Sequence, residues 1–341
     1  MPLYPLLLAP IYKEKVWGGR GLEQLGRVLP GGPDTLIGES WELADLSMTS
    51  PSGGGGEAAR SVIRNGPLMK RTFGDVTKDF GPVVSGTMQL SPDGSFPLLL
   101  KYLDARENLS VQVHPSGAYA AEHPDVHCKS EAWYVVAADP GAKIYRGVIE
   151  GVDHERFQKA LQDGSITTLL RSEPAKPGQC IYLPSGTVHA LGGGVLVAEV
   201  QTASDTTFRV FDWGRTDREL HVDEALACVD FSVAKYDTVK AGRGVEVDGG
   251  WLMRPLVSCE HFQMHEWTAR RGESTSFVSG ELHVLMVIRG AAMISWGDQK
   301  SRTLTVAAGD TVVLPAGLAS AEVRAEIDLT LLEVTQPRTP S

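Results

Sequence analysis

Residues 177–186 read Pro-Gly-Gln-Cys-Ile-Tyr-Leu-Pro-Ser-Gly, and residues 308–317 read Ala-Gly-Asp-Thr-Val-Val-Leu-Pro-Ala-Gly. Both stretches place a polar residue after Gly, continue through four largely apolar positions, and close on Pro, a small residue and Gly. Short apolar runs bounded by Gly and Pro are typical of β-strands between turns. Their recurrence indicates an internal repeat of one β-barrel unit.

The composition also favours many short strands. The 341 residues suit two domains, and 37 Gly and 20 Pro interrupt the apolar runs. Pro-x-Gly turns that close short strands are typical of double-stranded β-helices, the jelly-roll relatives called cupins. We therefore predict a mainly β fold of two tandem cupin barrels, with an N-terminal catalytic domain over residues 1–235 and a C-terminal cupin-like domain over residues 250–341.

A helical insertion is predicted within the first domain, at about residues 153–171. Asp153 can cap a helix in which Phe157 and Ala160 fall on one face, and Gly164 ends it. The few helices of the protein should therefore be attached to the first barrel.

Charge and cysteine content exclude several classes of function. The formal net charge of −10 repels a phosphate backbone, so we expect no nucleic-acid partner. No apolar run approaches the length of a membrane span, and the apolar start at residues 2–10 is too short and Pro-broken for a signal peptide. The four cysteines form no Cys-x-x-Cys pair, which favours a reduced, cytoplasmic protein.

The stretch Ser-Val-Gln-Val-His-Pro at residues 110–115 carries the first candidate metal ligands. Strand side chains alternate between faces, so Ser110, Gln112 and His114 share one face while valines occupy the other. Glu131 and His189 follow in two later strand-like segments. Two imidazoles, a carboxylate and an amide oxygen suit a divalent metal, with Zn²⁺ favoured. A lone strand histidine is more commonly a surface residue, and two histidines with a carboxylate also fit a non-haem Fe(II) oxygenase.

Five segments in order resemble those of a known family, the type I mannose-6-phosphate isomerases (phosphomannose isomerases) of the shorter bacterial kind. The resemblance covers about residues 5–230 and rests on Pro-Leu-Leu-Leu-Lys-Tyr-Leu-Asp (97–104), Leu-Ser-Val-Gln-Val-His-Pro (109–115), Lys-Ser-Glu-Ala-Trp-Tyr (129–134), Pro-Ser-Gly-Thr-Val-His-Ala (184–190) and the run from Glu199 through Asp-Thr-Thr-Phe-Arg-Val-Phe-Asp-Trp (205–213). It implies one zinc ion per chain, held by Gln112, His114, Glu131 and His189.

The resemblance also implies roles for residues around the metal. Arg209 matches the family's catalytic arginine, and Lys101, Lys129, Trp17, Glu42 and Glu199 match other site residues. Ser110 shares the face of the metal ligands, and Arg215 adds a nearby cation, so both are predicted to bind substrate. Glu199, Lys129 and Glu42 remain alternative candidates for the group that transfers the proton.

The function implied is interconversion of mannose 6-phosphate and fructose 6-phosphate, a proton transfer between two carbons through an enediolate. Cations near the site would bind the sugar phosphate. The rival interpretations are a non-catalytic sugar-binding cupin and an Fe(II) cupin oxygenase. Leu191 stands where longer family members carry Tyr, which affects sugar selectivity. The C-terminal repeat lacks metal ligands, and His261 and His265 are interpreted as structural or surface residues.

Overall fold

The computed structural model describes residues 3–50, 55–123, 126–232 and 242–337. The predicted mainly β fold is confirmed. The strands before residue 232 are β1 (Leu6–Ala9), β2 (Ile11–Gly19), β3 (Ile37–Leu43), β4 (Asp45–Leu46), β5 (Ala59–Arg60), β6 (Val62–Ile63), β7 (Leu98–Ala105), β8 (Val111–Val113), β9 (Glu131–Ala138), β10 (Lys143–Val148), β11 (Leu170–Pro174), β12 (Cys180–Leu183), β13 (His189–Leu191), β14 (Val195–Thr202) and β15 (Phe208–Phe211).

The later strands are β16 (Val245–Glu246), β17 (Leu252–Ser258), β18 (Gln263–Ala269), β19 (Ser274–Val278), β20 (His283–Arg289), β21 (Ala291–Trp296), β22 (Arg302–Ala307), β23 (Thr311–Leu314), β24 (Ser320–Ala325) and β25 (Leu329–Thr335). The α-helices of the described residues are short and precede residue 232: α1 (Phe73–Phe80), α2 (Pro82–Ser85), α3 (Gly117–Glu122), α4 (His154–Gln162) and α5 (Val222–Cys228). Single 3₁₀ turns occur at Gly21–Leu25, Ile166–Leu169, Asp248–Gly250 and Asp298–Lys300. No helix in the described ranges is long and apolar enough to span a membrane.

Two sheets, here called the N-terminal sheet pair, carry the candidate site. One has the order β12-β9-β14-β7-β3-β2 and the other β11-β10-β13-β8-β15. Leu103, Trp133 and Val197 of the first sheet pack in one buried cluster with Ile144 and Leu191 of the second. This core holds the two sheets face to face, with the predicted ligands at one end of it.

Strand β7 is buried along its whole length, which explains its nearly continuous apolar sequence. Leu98, Leu100 and Tyr102 point to the other side of the sheet and join a large core shared with the C-terminal strands. The alternate face carries Lys101, whose buried side chain must therefore find a charged partner.

The C-terminal sheet pair combines a sheet of order β16-β17-β18-β25-β20-β23-β1-β6 with one of order β19-β24-β21-β22. The two repeated sequence units form β12 and β23, which lie beside the central strands β9 and β20. β1 comes from the start of the chain, yet Leu6 pairs with Val313. The first strand therefore departs from the predicted division at residues 1–235, because its apolar residues complete the C-terminal sheet.

The predicted helical insertion corresponds to α4. The Asp153 side chain accepts a hydrogen bond from the Arg156 amide and caps the helix as expected. Strand β11 begins at Leu170, so the helical part ends slightly before the predicted residue 171. Residues 233–241, which include the predicted end of the first domain, lie outside the described ranges.

Candidate metal centre and active site

Neighbouring strands bring the four predicted ligands together. Gln112 lies on β8 directly opposite His189 of β13. His114 follows β8 by one residue, and Glu131 is the first residue of β9, where it pairs with Leu183. Segments far apart in sequence thus meet because antiparallel register aligns the ends of their strands.

The three charged or imidazole ligands converge at short distances. His114 Nε2 lies 3.2 Å from Glu131 Oε2, and His189 Nε2 lies 3.3 Å from Glu131 Oε1. The Gln112 amide approaches His189 Nε2 at 3.1 Å. In the described part of the chain, one group of three His, Cys, Asp or Glu residues has its ligand atoms within 4.8 Å of one another. That group is His114, Glu131 and His189.

The second ring nitrogen of each histidine determines which nitrogen faces the centre. His114 Nδ1 lies 3.1 Å from the Thr206 carbonyl oxygen, and His189 Nδ1 lies 2.8 Å from that of Thr187. A carbonyl oxygen only accepts, so each Nδ1 donates a proton and each neutral Nε2 presents a lone pair. Burial, reinforced by the Lys129 charge, lowers the pKa of His114 to about 3, and burial also lowers that of His189.

Glu131 is the anion of the centre, and its neighbours are a cation and two imidazoles. Its side chain is fully buried, and neither oxygen has a hydrogen-bond partner of good geometry within the described ranges. The Lys129 ammonium lies 2.7 Å from its Oε2 and 2.9 Å from His114 Nε2. Burial alone would raise the pKa of Glu131, but Lys129 and His114 hold it well below its ordinary range. An ionised carboxylate beside two imidazole lone pairs and an amide fits a divalent metal.

A cavity opens beside these ligands and is lined by several predicted site residues. Those that line it are Trp17, Lys101, Ser110, Gln112, Lys129, Glu199 and Arg209. Further lining residues were not predicted: Lys15, Glu39, Trp41, Leu103, Leu109, Asp205, Thr207 and Arg218. The cavity therefore combines apolar walls with a high density of charge.

Lys101 is held by two glutamates. Its Nζ lies 3.5 Å from Glu199 Oε1 and 3.8 Å from Glu39 Oε2. Burial would lower the pKa of this lysine, but the two carboxylates outweigh that effect and raise it. The strand registers explain the contacts, because Lys101 of β7 pairs with Glu199 of β14 and with Trp41 of β3.

Arg209 comes from β15, directly opposite Gln112 of β8. Its Nη1 donates to the Glu219 carbonyl oxygen at 2.7 Å, which fixes the guanidinium at the cavity wall. Burial and the neighbouring charges of Arg218 and Arg215 lower its pKa below the ordinary value. Asp212 and Asp217 partly offset this effect, so arginines and carboxylates lie together near this end of the cavity.

Relatives of known class match this arrangement. Residues 6–141 match the family described as phosphomannose isomerase type I, catalytic domain. The probable mannose-6-phosphate isomerase GmuF of Bacillus subtilis is 35% identical over 77% of this chain and 79% of its own length. The mannose-6-phosphate isomerase ManA of the same organism is 31% identical over 93% and 95%.

This chain belongs to the type I phosphomannose isomerase family. The crystal structure of the Bacillus subtilis mannose 6-phosphate isomerase matches it with a TM-score of 0.83 at 28% identity, covering 97% of this chain and 99% of that one. A putative mannosephosphate isomerase from Archaeoglobus fulgidus shares the fold at a TM-score of 0.73 and 20% identity. The predicted family, cupin fold and isomerase class are confirmed, ahead of the oxygenase and the non-catalytic sugar-binding cupin.

The structure separates two predicted residues from the cavity of this isomerase. Glu42 accepts hydrogen bonds from Arg27 at 2.8 and 2.7 Å and from Thr311 at 3.2 Å, so it joins the N-terminal strands to the C-terminal sheet. Arg215 donates to Asp212 at 2.7 Å and to the Asn108 carbonyl oxygen at 2.6 Å, outside the cavity lining. Neither residue lines the cavity, and their substrate contacts stay a prediction.

Glu39 and Arg218 line the cavity, where the sequence predicts Glu42 and Arg215. Alternation along β3 places Glu39 and Trp41 on the cavity face and Glu42 on the opposite face, a signal already present in the sequence. Arg218 reaches the cavity because Asp212 anchors its Nε at 2.7 Å. No sequence pattern distinguishes it from Arg215, since both lie in an irregular segment after β15.

Proposed function

We propose that this isomerase interconverts mannose 6-phosphate and fructose 6-phosphate, using one Zn²⁺ held by Gln112, His114, Glu131 and His189. The observation that carries the proposal is the buried convergence of two neutral imidazoles on an ionised carboxylate beside a cation-rich cavity. The named Bacillus subtilis relatives support the choice of sugar. When bound, the metal would supply Lewis-acid stabilisation of negative charge on the sugar oxygens.

Proton transfer between the two carbons is assigned to Glu199. Its Oε1 faces the cavity side near Lys101, while its Oε2 is already bound by Trp133 at 2.8 Å. Burial, with the nearby charge of Glu131, raises the pKa of Glu199 despite its cationic neighbours. A carboxyl with a raised pKa is a stronger base than an ordinary glutamate, which suits a group that accepts and returns a proton. Lys129 is assigned to holding charge at the ligand cluster, and Glu42 is withdrawn as an alternative.

Two arginines are assigned to the anionic parts of the substrate. Arg209 lies across from Gln112 and so stands nearest the reacting oxygens. Arg218 offers a planar fork for the phosphate at the same end of the cavity. Trp17 and Ser110 would then contact the sugar between these charges.

A coupled assay on mannose 6-phosphate, with other hexose phosphates beside it, tests this function directly. Chelation should abolish fructose 6-phosphate formation, and repletion with Zn²⁺ should restore it better than Fe²⁺ does. Turnover that survives complete removal of metal would overturn the proposed mechanism. Turnover of another hexose phosphate in preference to mannose 6-phosphate would overturn the substrate.

We further propose the tandem-barrel division at about residues 235 and 250, supported by the similar strand order of the two sheet pairs. The exception is β1, which pairs with the C-terminal sheet. A cytoplasmic location is proposed from four free cysteines and a phosphorylated substrate. Limited proteolysis that cuts between residues 233 and 250 would support the division, and the two fragments should stay associated because β1 and the shared core connect them.

A further inference from the structure

Trp133 lies in the middle of β9 and touches the candidate site without lining its cavity. The residue is fully buried and pairs with Glu199 of β14 on one side and with Ile181 of β12 on the other. Its indole N–H donates to Glu199 Oε2 at 2.8 Å. The same ring meets the His189 ring edge-on, with centroids 5.3 Å apart and planes at 79°.

The indole hydrogen bond determines which oxygen of Glu199 is available. Oε2 is occupied, whereas Oε1 is buried and has no hydrogen-bond partner in the described part of the chain, with Lys101 Nζ 3.5 Å away. A carboxylate held at one oxygen cannot exchange its two oxygens by rotating. Because Trp133 is itself packed in the core between the two sheets, it is a rigid donor.

The edge-on contact with His189 also constrains the Trp133 ring. His189 is held on its other side by the hydrogen bond from Nδ1 to the Thr187 carbonyl oxygen. Movement of the indole would therefore disturb a metal ligand and the carboxylate together. A side chain that only filled space would need neither the N–H donor nor this edge-on contact.

We propose that Trp133 is a positioning residue of the isomerase reaction. It holds the Glu199 carboxylate with one oxygen directed to the substrate, and it fixes the position of that carboxylate relative to the His189 ring. The inference rests on the proposed function of Glu199 as the group that moves the proton. Trp133 acts through Glu199 and does not itself touch the sugar.

A double-mutant cycle tests the inference. Trp133→Phe retains an aromatic ring and removes the N–H, so kcat should fall about tenfold, the effect of losing a hydrogen bond to a charged group, while KM changes less than about twofold. In a Glu199→Gln background the same substitution should reduce kcat no further, because both changes act on one group. Zinc content should stay at one per chain. The proposal would be overturned if the kcat losses of Trp133→Phe and Glu199→Gln multiply in the double variant, or if Trp133→Phe loses zinc.

The chain provides a matched control in Trp267, whose indole N–H donates to the buried Glu333 at 2.7 Å in the C-terminal sheet pair. Trp267→Phe removes the same kind of hydrogen bond from a less buried ring, so it should lower the melting temperature less than Trp133→Phe does and leave kcat unchanged. Equal kcat losses in the two variants would indicate a general structural effect and overturn the proposal.

A spectroscopic measurement keeps the test independent of turnover and of the folding of Trp133→Phe. In protein labelled with ¹⁵N-tryptophan, Glu199→Gln should shift the Trp133 indole signal upfield and leave the Trp267 signal in place. An unmoved Trp133 signal would contradict the hydrogen bond. Inactivity of the wild-type protein on mannose 6-phosphate, by contrast, would count against the proposed function and leave this measurement valid.

Discussion

Equivalent positions in the two sheet pairs carry different chemistry. Glu131 is the first residue of β9 and pairs with Leu183, and His283 is the first residue of β20 and pairs with Leu314. On the neighbouring strands, Glu199 lies opposite Lys101, and Glu333 lies opposite His265. The same scaffold positions therefore hold buried acid–base groups in both halves.

The C-terminal group is an internally neutralised ion pair. His283 Nδ1 lies 2.6 Å from Glu333 Oε1, and its Nε2 lies 3.2 Å from the Val278 carbonyl oxygen. Both nitrogens face acceptors, and the carboxylate contact is shorter than those of the two metal-site histidines with Glu131, which favours the protonated imidazole. Although burial opposes it, the Glu333 contact raises the pKa of His283, and the imidazoles of His265 and His283 help lower the pKa of Glu333 to about 2.

The N-terminal group has the opposite electrostatics. Its histidines are neutral, each donates a single hydrogen bond to a backbone carbonyl, and their lone pairs face Glu131. Histidines of both halves have one ring nitrogen at a backbone carbonyl and the other near a carboxylate, so the difference comes from a neighbouring charge. The Lys129 ammonium lies 2.7 Å from Glu131 and adds to burial in lowering the pKa of both metal-site histidines, whereas the Glu333 contact raises the pKa of His283. His265, which contacts Glu333 at 3.4 Å, agrees with its interpretation as a structural residue.

The largest difference between the two halves should appear when one histidine is removed from each. His114→Ala removes a ligand, so metal affinity should fall by more than about 100-fold, beyond the effect of outer hydrogen-bond partners, and turnover should be lost. His283→Ala should retain zinc and activity. Metal analysis and the coupled assay measure both, and stoichiometric zinc in His114→Ala would break the comparison.

Arg209→Ala should separate metal binding from catalysis within the N-terminal sheet pair. We expect zinc content to remain while kcat falls on the order of 10²–10³-fold, as for loss of a group that stabilises developing charge. Arg254→Ala, which breaks the partly exposed pair with Glu266, is the control in the C-terminal half and should leave kcat unchanged. Full activity of Arg209→Ala would exclude its proposed role.

The C-terminal ion pair should contribute stability over a limited pH range. The Glu333 contribution is present above its ordinary pKa of 4.5 and is lost as pH falls toward about 2. The His283 contribution is present below 6.5 and is lost as pH rises through its raised pKa. Glu333→Gln should therefore lower the free energy of unfolding by about 3 kcal/mol near pH 5.5 and by less at pH 8.5.

Urea unfolding of the wild-type protein and Glu333→Gln at the two pH values measures this difference. The expected sign follows because the variant has lost the carboxylate, whereas the wild-type carboxylate loses its charged partner when His283 deprotonates and keeps neutral donors such as the Trp267 indole. A destabilisation that is equal at both pH values would contradict the ion pair.

The smallest expected effect distinguishes two glutamates of one strand. Glu39→Gln weakens the pairing of Lys101 in the cavity and should change kcat/KM severalfold, since partners of a site residue are typically worth about 1 kcal/mol. Glu42→Gln weakens the contact with Arg27 and should reduce thermal stability with little change in kcat/KM. Reversal of these two outcomes in the coupled assay would restore Glu42 to the site.

Local patterns in the sequence predicted several elements closely. The largely apolar positions of the two repeated units form β12 and β23, and Asp153 caps α4. The errors concern direction and partners. Alternation in the sequence places Glu39 and Glu42 on opposite faces of β3. Only the strands packed around β3 show which of the two faces meets the cavity.

Turn residues, strand alternation and the order of motifs are properties of neighbouring residues, so the sequence by itself determined the β architecture, the family and the set of candidate ligands. Register and sheet order depend on contacts between distant segments, and only the tertiary structure placed β1 in the C-terminal sheet and Arg218 at the cavity. The pKa of each buried histidine was likewise decided by the charges that packing placed around it. Burial and the Lys129 charge lower the pKa of His189, whereas the contact with Glu333 raises that of His283.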